Sequence, residues 1–157
     1  MSTEKPTTIV LDAMGGDDTP GVPVAGGVLA AREGVRVLLA GDPEPVHAAL
    51  AEHDIEGLSI EVVPTEGVVH EGENPVRALR ANPKASIAVA ASMVKAGQAD
   101  AMVSMGSTGA AMAASVLALG VFEGLDRPAL GGPFIALAPR TSIIDLGSQI
   151  DCRPSQL

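Results

Sequence analysis

The sequence predicts an α/β fold with three layers, in which a mostly parallel sheet carries helices on both faces. Short β-branched runs alternate along the chain with stretches rich in Ala and Leu, and glycine-rich breaks separate them. Most of the strand-like runs are continuously apolar, which is typical of parallel strands buried on both faces. With 157 residues, 46% of them apolar and 18% charged, we expect one globular domain over residues 1–157.

The predicted elements follow one another in a regular order. Thr8–Leu11 is the first strand, and Pro20–Glu33 is a helix because its apolar residues recur on one face. Pro43 suits the start of the second helix, since its missing N–H would be unpaired there. The other predicted strands are Val35–Ala40, Leu58–Val63, Asp100–Met105, Phe134–Leu137 and Ser142–Leu146, and the other helices are Pro43–His53, Pro75–Arg80, Ala85–Ala96 and Thr108–Leu119. No helix follows the last predicted strand, so we expect the sequence to be the front part of a larger fold or a reduced version of one.

Charge and composition exclude several classes of function. The net charge is −9 and the pI about 4.6, which argues against a nucleic-acid partner and against a polybasic membrane anchor. Two Phe and no Tyr or Trp leave no aromatic platform on which bases could stack. The single cysteine, Cys152, excludes an internal disulfide and a cysteine-based zinc site.

The first eight residues contain no apolar core of a signal peptide. The uncharged stretch Ala101–Phe122 is interrupted by a Gly-Ser-Thr-Gly turn, so we interpret it as a buried strand, turn and helix rather than a membrane span. Together these features predict a cytoplasmic protein.

Three loops at strand ends are candidates for a functional site. Parallel strands end at the same edge of a sheet, where ligands bind in open α/β folds. The sequence therefore predicts that Asp12–Pro20, Ser104–Gly109 and Asp145–Asp151 lie on one edge.

The turn at residues 106–109 combines flexible glycines with hydroxyl donors at a helix start. Such a turn can hold a phosphate or a developing oxyanion through Gly106, Ser107, Thr108 and Gly109. The alternative is that Ser107 or Thr108 is an ordinary helix cap. No lysine follows as in a P-loop, and no GxGxxG motif follows the first strand.

Carboxylates surround a glycine pair in the first loop. Asp12, Asp17 and Asp18 flank Gly15 and Gly16. The carboxylates could act as a general base or hold a divalent cation, or else Asp17 or Asp18 caps the following helix.

The third candidate is a basic cluster in an acidic chain. Arg77 and Arg80 are three residues apart and share a face if the segment is helical, with Lys84 close behind. They could receive a phosphate or an acidic partner, or form a solvated face. The histidines His47, His53 and His70 have no zinc spacing and no catalytic arrangement with serine, and Cys152 has no basic neighbour.

Four motifs together resemble those of the phosphate acyltransferases of bacterial phospholipid synthesis. They are LDAMGGDDTPG, the long run from ENPVRALRANPK to VSMGSTGAAMA, RPAL and IIDLGSQIDCRP, in the family's order from Ile9 to Pro154. The resemblance implies transfer of a fatty acyl group from acyl carrier protein to inorganic phosphate, without metal or cofactor. It also implies an isocitrate-dehydrogenase-like or phosphotransacetylase-like sheet, and a homodimer once the later half is present. Any peripheral membrane contact would lie in that later half.

On this resemblance, phosphate and acyl group would contact the two glycine loops, namely Asp12, Gly15, Gly16, Asp17, Gly106, Ser107, Thr108 and Gly109. Asp17 is the candidate catalytic residue, and Arg77, Arg80 and Lys84 would receive the carrier protein. Three motifs depart from the family pattern: Asp18 replaces a histidine, Ser107 replaces an asparagine, and Ser148-Gln149 stands where the family has Ala-Asn. Two alternatives stay open: a truncated, non-catalytic homologue that binds carrier protein or a partner, and an unrelated phosphate- or nucleotide-binding module.

Overall fold

The computed structural model describes residues 6–133, 135 and 137–144. Strands and helices alternate through most of this range, as expected. The strands are β1 (Thr8–Asp12), β2 (Arg36–Gly41), β3 (Ile60–Pro64), β4 (Ala101–Ser104), β5 (Gly131–Gly132) and β6 (Ile143–Ile144). The helices are α1 (Gly21–Arg32), α2 (Pro43–Leu50), α3 (Pro75–Ala81), α4 (Ser86–Lys95) and α5 (Thr108–Leu119).

Four parallel strands form the main sheet in the order β3-β2-β1-β4. Strand β1 lies between β2 and β4, with Ile9 opposite Val37 on one side and Ala101 on the other. Because all four strands run the same way, the segments that follow them leave from one edge. The predicted parallel α/β sheet is confirmed.

The two faces of this sheet carry different helices, as alternate side chains of a strand point to opposite faces. Leu11, Val37 and Leu39 pack in one apolar cluster with residues of α1 and α2. Val10, Leu38 and Ala40 face the other way and pack against Ala90 of α4. The expected three layers follow from these two clusters.

Element boundaries differ from the prediction by a few residues. Helix α2 ends at Leu50 rather than near His53, since Glu52 and His53 close turns through backbone bonds to Ala49 and Leu50. None of the helices in the described part combines the length and the hydrophobicity needed to cross a bilayer.

Contacts divide the chain into two compact units, Met1–Ala118 and Leu119–Leu157. The single domain expected over residues 1–157 stays a prediction. In the second unit, β5 pairs antiparallel with β6, with Gly131 opposite Ile144. The predicted strand Ser142–Leu146 is therefore found only at Ile143–Ile144, with its last two residues outside the described range.

The predicted strand Phe134–Leu137 is wrong at the positions that are described. Ile135 and Leu137 are not extended in a sheet, because the N–H of Ala138 donates to the carbonyl of Ile135 and closes a turn. Phe134 and Ala136 lie outside the described residues.

Candidate functional site

The ends of β1 and β4 hold the two glycine loops against each other. Asp12 and Ser104 are register partners in these neighbouring strands. The Ser104 hydroxyl donates to Asp12 Oδ2 over 2.7 Å, and it accepts from the N–H of Gly106 over 3.1 Å. Two turns that are 90 residues apart in sequence are thus connected through one serine.

Gly15 and Gly106 approach so closely that Gly15 has no room for a side chain and Gly106 has little. A Cβ on Gly15 would lie 2.5 Å from Asp12 Oδ2 and 3.0 Å from the nitrogen of Gly106. A Cβ on Gly106 would lie 3.2 Å from the Cα of Gly15. Gly16 has a φ of +118°, which favours glycine for a second reason. The glycines therefore permit the direct contact between the two loops.

A pocket of about 540 Å³ opens above this contact. Three segments line the pocket, one after each of β1, β3 and β4. The loop after β1 contributes Met14, Gly15, Gly16, Asp17 and Thr19, the segment after β3 contributes Val68–Glu71, and the turn after β4 contributes Met105–Thr108. Of the eight residues expected to bind phosphate or acyl group, six line this pocket. The exceptions are Asp12 and Gly109. The expected convergence of the first two loops is confirmed.

Asp12 is buried at the end of β1 and is not among the residues that line the pocket. Its residue is only 2% exposed, and its carboxylate accepts from the Ser104 hydroxyl and from the N–H of Met14. A buried carboxylate with two donors holds both loops in place. The structure thus shows Asp12 linking the two loops, and its expected contact with the ligand stays a prediction.

Ser107 and Thr108 take different positions at the start of α5. Ser107 precedes the helix, and its hydroxyl accepts from the N–H of Ala110 at 3.5 Å, a long capping bond. The Thr108 hydroxyl makes no recorded hydrogen bond within the described structure, and the residue is exposed. The cap interpretation thus fits Ser107 weakly, and Thr108 keeps a free hydroxyl at the pocket.

The acidic loop caps no helix with its side chains. Helix α1 begins at Gly21 after Pro20, with no side-chain capping bond. Asp18 contributes only its backbone carbonyl, which accepts from Val22. The alternative in which Asp17 or Asp18 is a side-chain cap is wrong, and Asp17 lines the pocket instead.

No metal site forms from these carboxylates. Within the described part of the chain, no three His, Cys, Asp or Glu side chains group as a cation requires. Asp12 is buried against Ser104, while Asp17 and Asp18 are exposed. The third predicted loop, Asp145–Asp151, lies outside the described residues.

The segment Val68–Glu71 is a wall of the pocket that the sequence analysis missed. It follows β3, whose carboxyl end lies on the same edge as those of β1 and β4. His70 and Glu71 are exposed there. The rule that segments after parallel strands meet at one edge of the sheet could have found this segment. His70 was not predicted as a site residue because no metal ligand or nucleophile stands near it in sequence.

Of the three residues in the basic cluster, the two arginines are exposed and the lysine is in an ion pair. Arg77 and Arg80 lie on α3 and are exposed, which confirms that their segment is helical. Lys84 instead pairs with Glu66 over 2.7 Å. Pro75, the first residue of α3, lies next to Gly109, 3.8 Å from the position of a Cβ there. The two arginines therefore occupy the helix beside the pocket without lining it.

An aliphatic groove of about 430 Å³ lies beside the pocket, between α1 and the outer strand β4. Its lining includes Ile9, Val22 and Val103, and it shares Met105 with the pocket. Val22, Val103 and Met105 are 62%, 44% and 69% exposed. One residue thus borders both an apolar surface and the polar pocket.

Similar proteins place this geometry in a family. A protein-family model described as "Fatty acid synthesis protein" matches residues 7–157. Proteins named phosphate acyltransferase from Cyanothece sp., Trichodesmium erythraeum and Synechocystis sp. are 47%, 46% and 45% identical to this chain. The alignments cover 95%, 97% and 95% of this chain, but only 44%, 45% and 43% of those proteins.

The chain thus spans a little under half the length of the curated relatives that it matches. The expected resemblance to phosphate acyltransferases is confirmed, and the alternative of a module unrelated to lipids is not supported. By the extent of the match, this chain belongs to the family of fatty acid synthesis proteins.

Proposed function

We propose that this chain takes part in transferring a fatty acyl group from acyl carrier protein to inorganic phosphate, which gives acyl phosphate. The observation that carries the proposal is the contact of the loops at Gly15 and Gly106 beneath one open pocket. The names of the relatives support the same reaction class.

The chemistry needs positioning and charge stabilisation more than a covalent enzyme intermediate. A phosphate oxygen attacks the thioester carbonyl carbon, a C–O bond forms, and the carbonyl becomes a tetrahedral oxyanion. The C–S bond then breaks, and the thiolate of the carrier protein takes up a proton. An enzyme accelerates this by holding phosphate about 3–3.5 Å from the carbonyl and by aiming N–H donors at the oxyanion.

The turn at residues 106–108 has the groups for this task. Backbone N–H groups at a helix start favour negative charge, and the Thr108 hydroxyl, which has no hydrogen-bond partner among the described residues, adds a donor. Asp17, also in the pocket, is our candidate for orienting the phosphate proton.

The aliphatic groove is suited to the acyl chain. It shares the lining residue Met105 with the pocket, so an acyl chain whose thioester carbonyl lies in the pocket would have an apolar surface nearby. Removing methylene groups from water contributes about 0.8 kcal/mol each. Val22 and Val103 are exposed enough to make such contacts.

Arg77 and Arg80 suit the acidic carrier protein. The chain has a net charge of −9, so an acidic partner needs a local positive surface for productive encounter. Helix α3 starts beside Gly109, which would bring a protein docked there close to the pocket. The cytoplasmic location, expected from the composition, and the homodimer, implied by the family resemblance, belong to the same proposal.

A hydroxylamine-trapping assay tests the proposal. The purified chain is incubated with acyl-carrier-protein thioester and phosphate, and we expect acyl hydroxamate that depends on both substrates. The matched sample lacks phosphate, which corrects for direct reaction of the thioester with hydroxylamine.

A second candidate function is carrier-protein binding without catalysis, favoured by the two exposed arginines, Arg77 and Arg80, on α3. Absence of product, together with binding of the carrier protein that depends on Arg77 and Arg80, would establish this alternative. Product formation that appears only when the remaining part of a relative is supplied would assign catalysis to the combined protein.

A further inference from the structure

We propose that His70 provides the positive charge that admits phosphate to the pocket, an inference that rests on the proposed function. The loop after β3 places His70 in the pocket wall, together with the turn Gly106–Thr108. His70 would act as an anion-contacting residue that positions phosphate for attack.

The charges around the pocket create the need for such a residue. Asp17 and Glu71 line it, and both repel a phosphate anion. Among the described lining residues no lysine or arginine is present, and His70 alone is a base. Histidine is the side chain that gains a positive charge near neutral pH. Backbone N–H donors can bind an anion, but they carry only partial positive charges, whereas each of the two carboxylates carries a full negative charge.

The backbone of His70 is held while its ring stays available. Val69 is 7% exposed and belongs to the apolar cluster that includes Leu79 and Ala110. The N–H of His70 donates to Glu73 Oε2 over 3.0 Å. No hydrogen bond or ion pair of the imidazole is recorded among the described residues, and the residue is exposed. The packing of Val69 and the hydrogen bond to Glu73 therefore hold the backbone at His70, while its ring is accessible to a ligand.

Other basic groups near the pocket do not fill this role. Lys84 is engaged by Glu66. Arg77 and Arg80 lie on α3, outside the pocket lining. The distribution of charge therefore assigns anion recognition to His70 and leaves the arginines for a larger partner.

The test measures binding of inorganic phosphate to the whole chain at pH 6.5 by isothermal titration calorimetry. His70→Gln keeps a donor but removes the charge, and we expect its phosphate affinity to fall about fivefold to tenfold. His70→Lys restores a charge and is expected to bind within about twofold of the parent protein. His53→Gln, on the segment after α2, is the matched control and should leave affinity unchanged.

Two further readouts separate a structural effect from the proposed one. The thermal midpoints of the His70 variants should stay within about 2 °C of the parent, since an exposed ring contributes little to stability. Equal phosphate affinity of parent and His70→Gln overturns the proposal, and so does failure of His70→Lys to bind better than His70→Gln.

Measuring both phosphate binding and acyl phosphate formation distinguishes failure of this inference from failure of the proposed function. If the parent binds phosphate and forms acyl phosphate while His70→Gln matches it in both, only the role of His70 is lost. If the parent protein has no affinity for phosphate and makes no acyl phosphate, both proposals are wrong.

Discussion

The Ser104 hydroxyl donates a hydrogen bond of 2.7 Å to the carboxylate of Asp12, which lies 92 residues away in the sequence. The two residues are also register partners in the neighbouring strands β4 and β1, so this bond adds a side-chain link to strand ends that are already paired. Asp12 is 2% exposed, so its carboxyl oxygens depend on protein donors instead of water for their hydrogen bonds.

Ser104→Ala should therefore lower the free energy of unfolding by about 1–3 kcal/mol, because a buried carboxylate loses a donor. Urea unfolding followed by circular dichroism measures the change. Ser92→Ala is the matched control, since the Ser92 hydroxyl only bonds back to Ala88 within α4, and it should change stability by less than about 0.5 kcal/mol. Equal stabilities for the two variants would contradict the role given to the pair.

Two glycine-to-alanine changes should have opposite effects. At Gly15 the new methyl group would meet Asp12 Oδ2 at 2.5 Å, so we expect a loss of about 1–3 kcal/mol and weaker phosphate binding. At Gly26, inside α1, nothing lies within 4 Å, and a gain of about 0.5–1 kcal/mol is expected. Thermal unfolding compares them, and a Gly15→Ala protein as stable as the parent would show that the loops do not touch as described.

Thr108→Val should weaken phosphate binding far more than it weakens folding. The hydroxyl is free to donate to an anion, and its loss is expected to reduce affinity about tenfold. Stability should change little because the residue is exposed. Thr7→Val, at the opposite end of β1, is the control in the same calorimetric titration. An unchanged phosphate affinity would remove the turn at residues 106–109 from the site.

Neutralising Arg77 and Arg80 together should weaken binding of acyl carrier protein about tenfold, as two exposed charges contribute about 0.5–1 kcal/mol each. Surface plasmon resonance at low and high salt follows the effect, which should shrink with salt. The control is Arg32→Gln with Lys95→Gln, which gives the same net charge on other helices. The prediction fails if both double variants bind alike.

Val103→Thr should impair long acyl thioesters selectively. The hydroxyl puts a polar group in the aliphatic groove, and we expect kcat/KM for a long-chain thioester to fall about fivefold, or about 1 kcal/mol. Short-chain thioesters should react as before. Val121→Thr is the control, because Val103 and Val121 are both 44% exposed. A drop that is independent of chain length would mean that the groove does not hold the alkyl tail.

Local chemistry was enough to predict much of this fold. The apolar run Val35–Ala40 predicted a strand, and the Ala-rich stretch Thr108–Leu119 predicted a helix. The structure places both close to their expected bounds. The parallel direction of the strands predicted that the loops with Gly15 and Gly106 lie on one edge, whereas their direct contact comes from the pairing of β1 with β4.

Distant side-chain partners were not predictable in the same way. Nothing near Asp12 in sequence indicates that Ser104 would bury it. The segment Val68–Glu71 has no periodic signal, and its place at the pocket comes from the packing of Val69 into the core. Lys84 looked free in sequence because its partner, Glu66, lies 18 residues away.

Strand β4 is one of the two edge strands of the four-stranded parallel sheet that the described residues form, and the turn with Thr108 follows directly from it. A polypeptide that pairs with this edge would restrict the strand from which the proposed anion-binding turn starts. If such pairing changes the affinity for phosphate, bound phosphate changes the affinity of the edge for that polypeptide by the same factor.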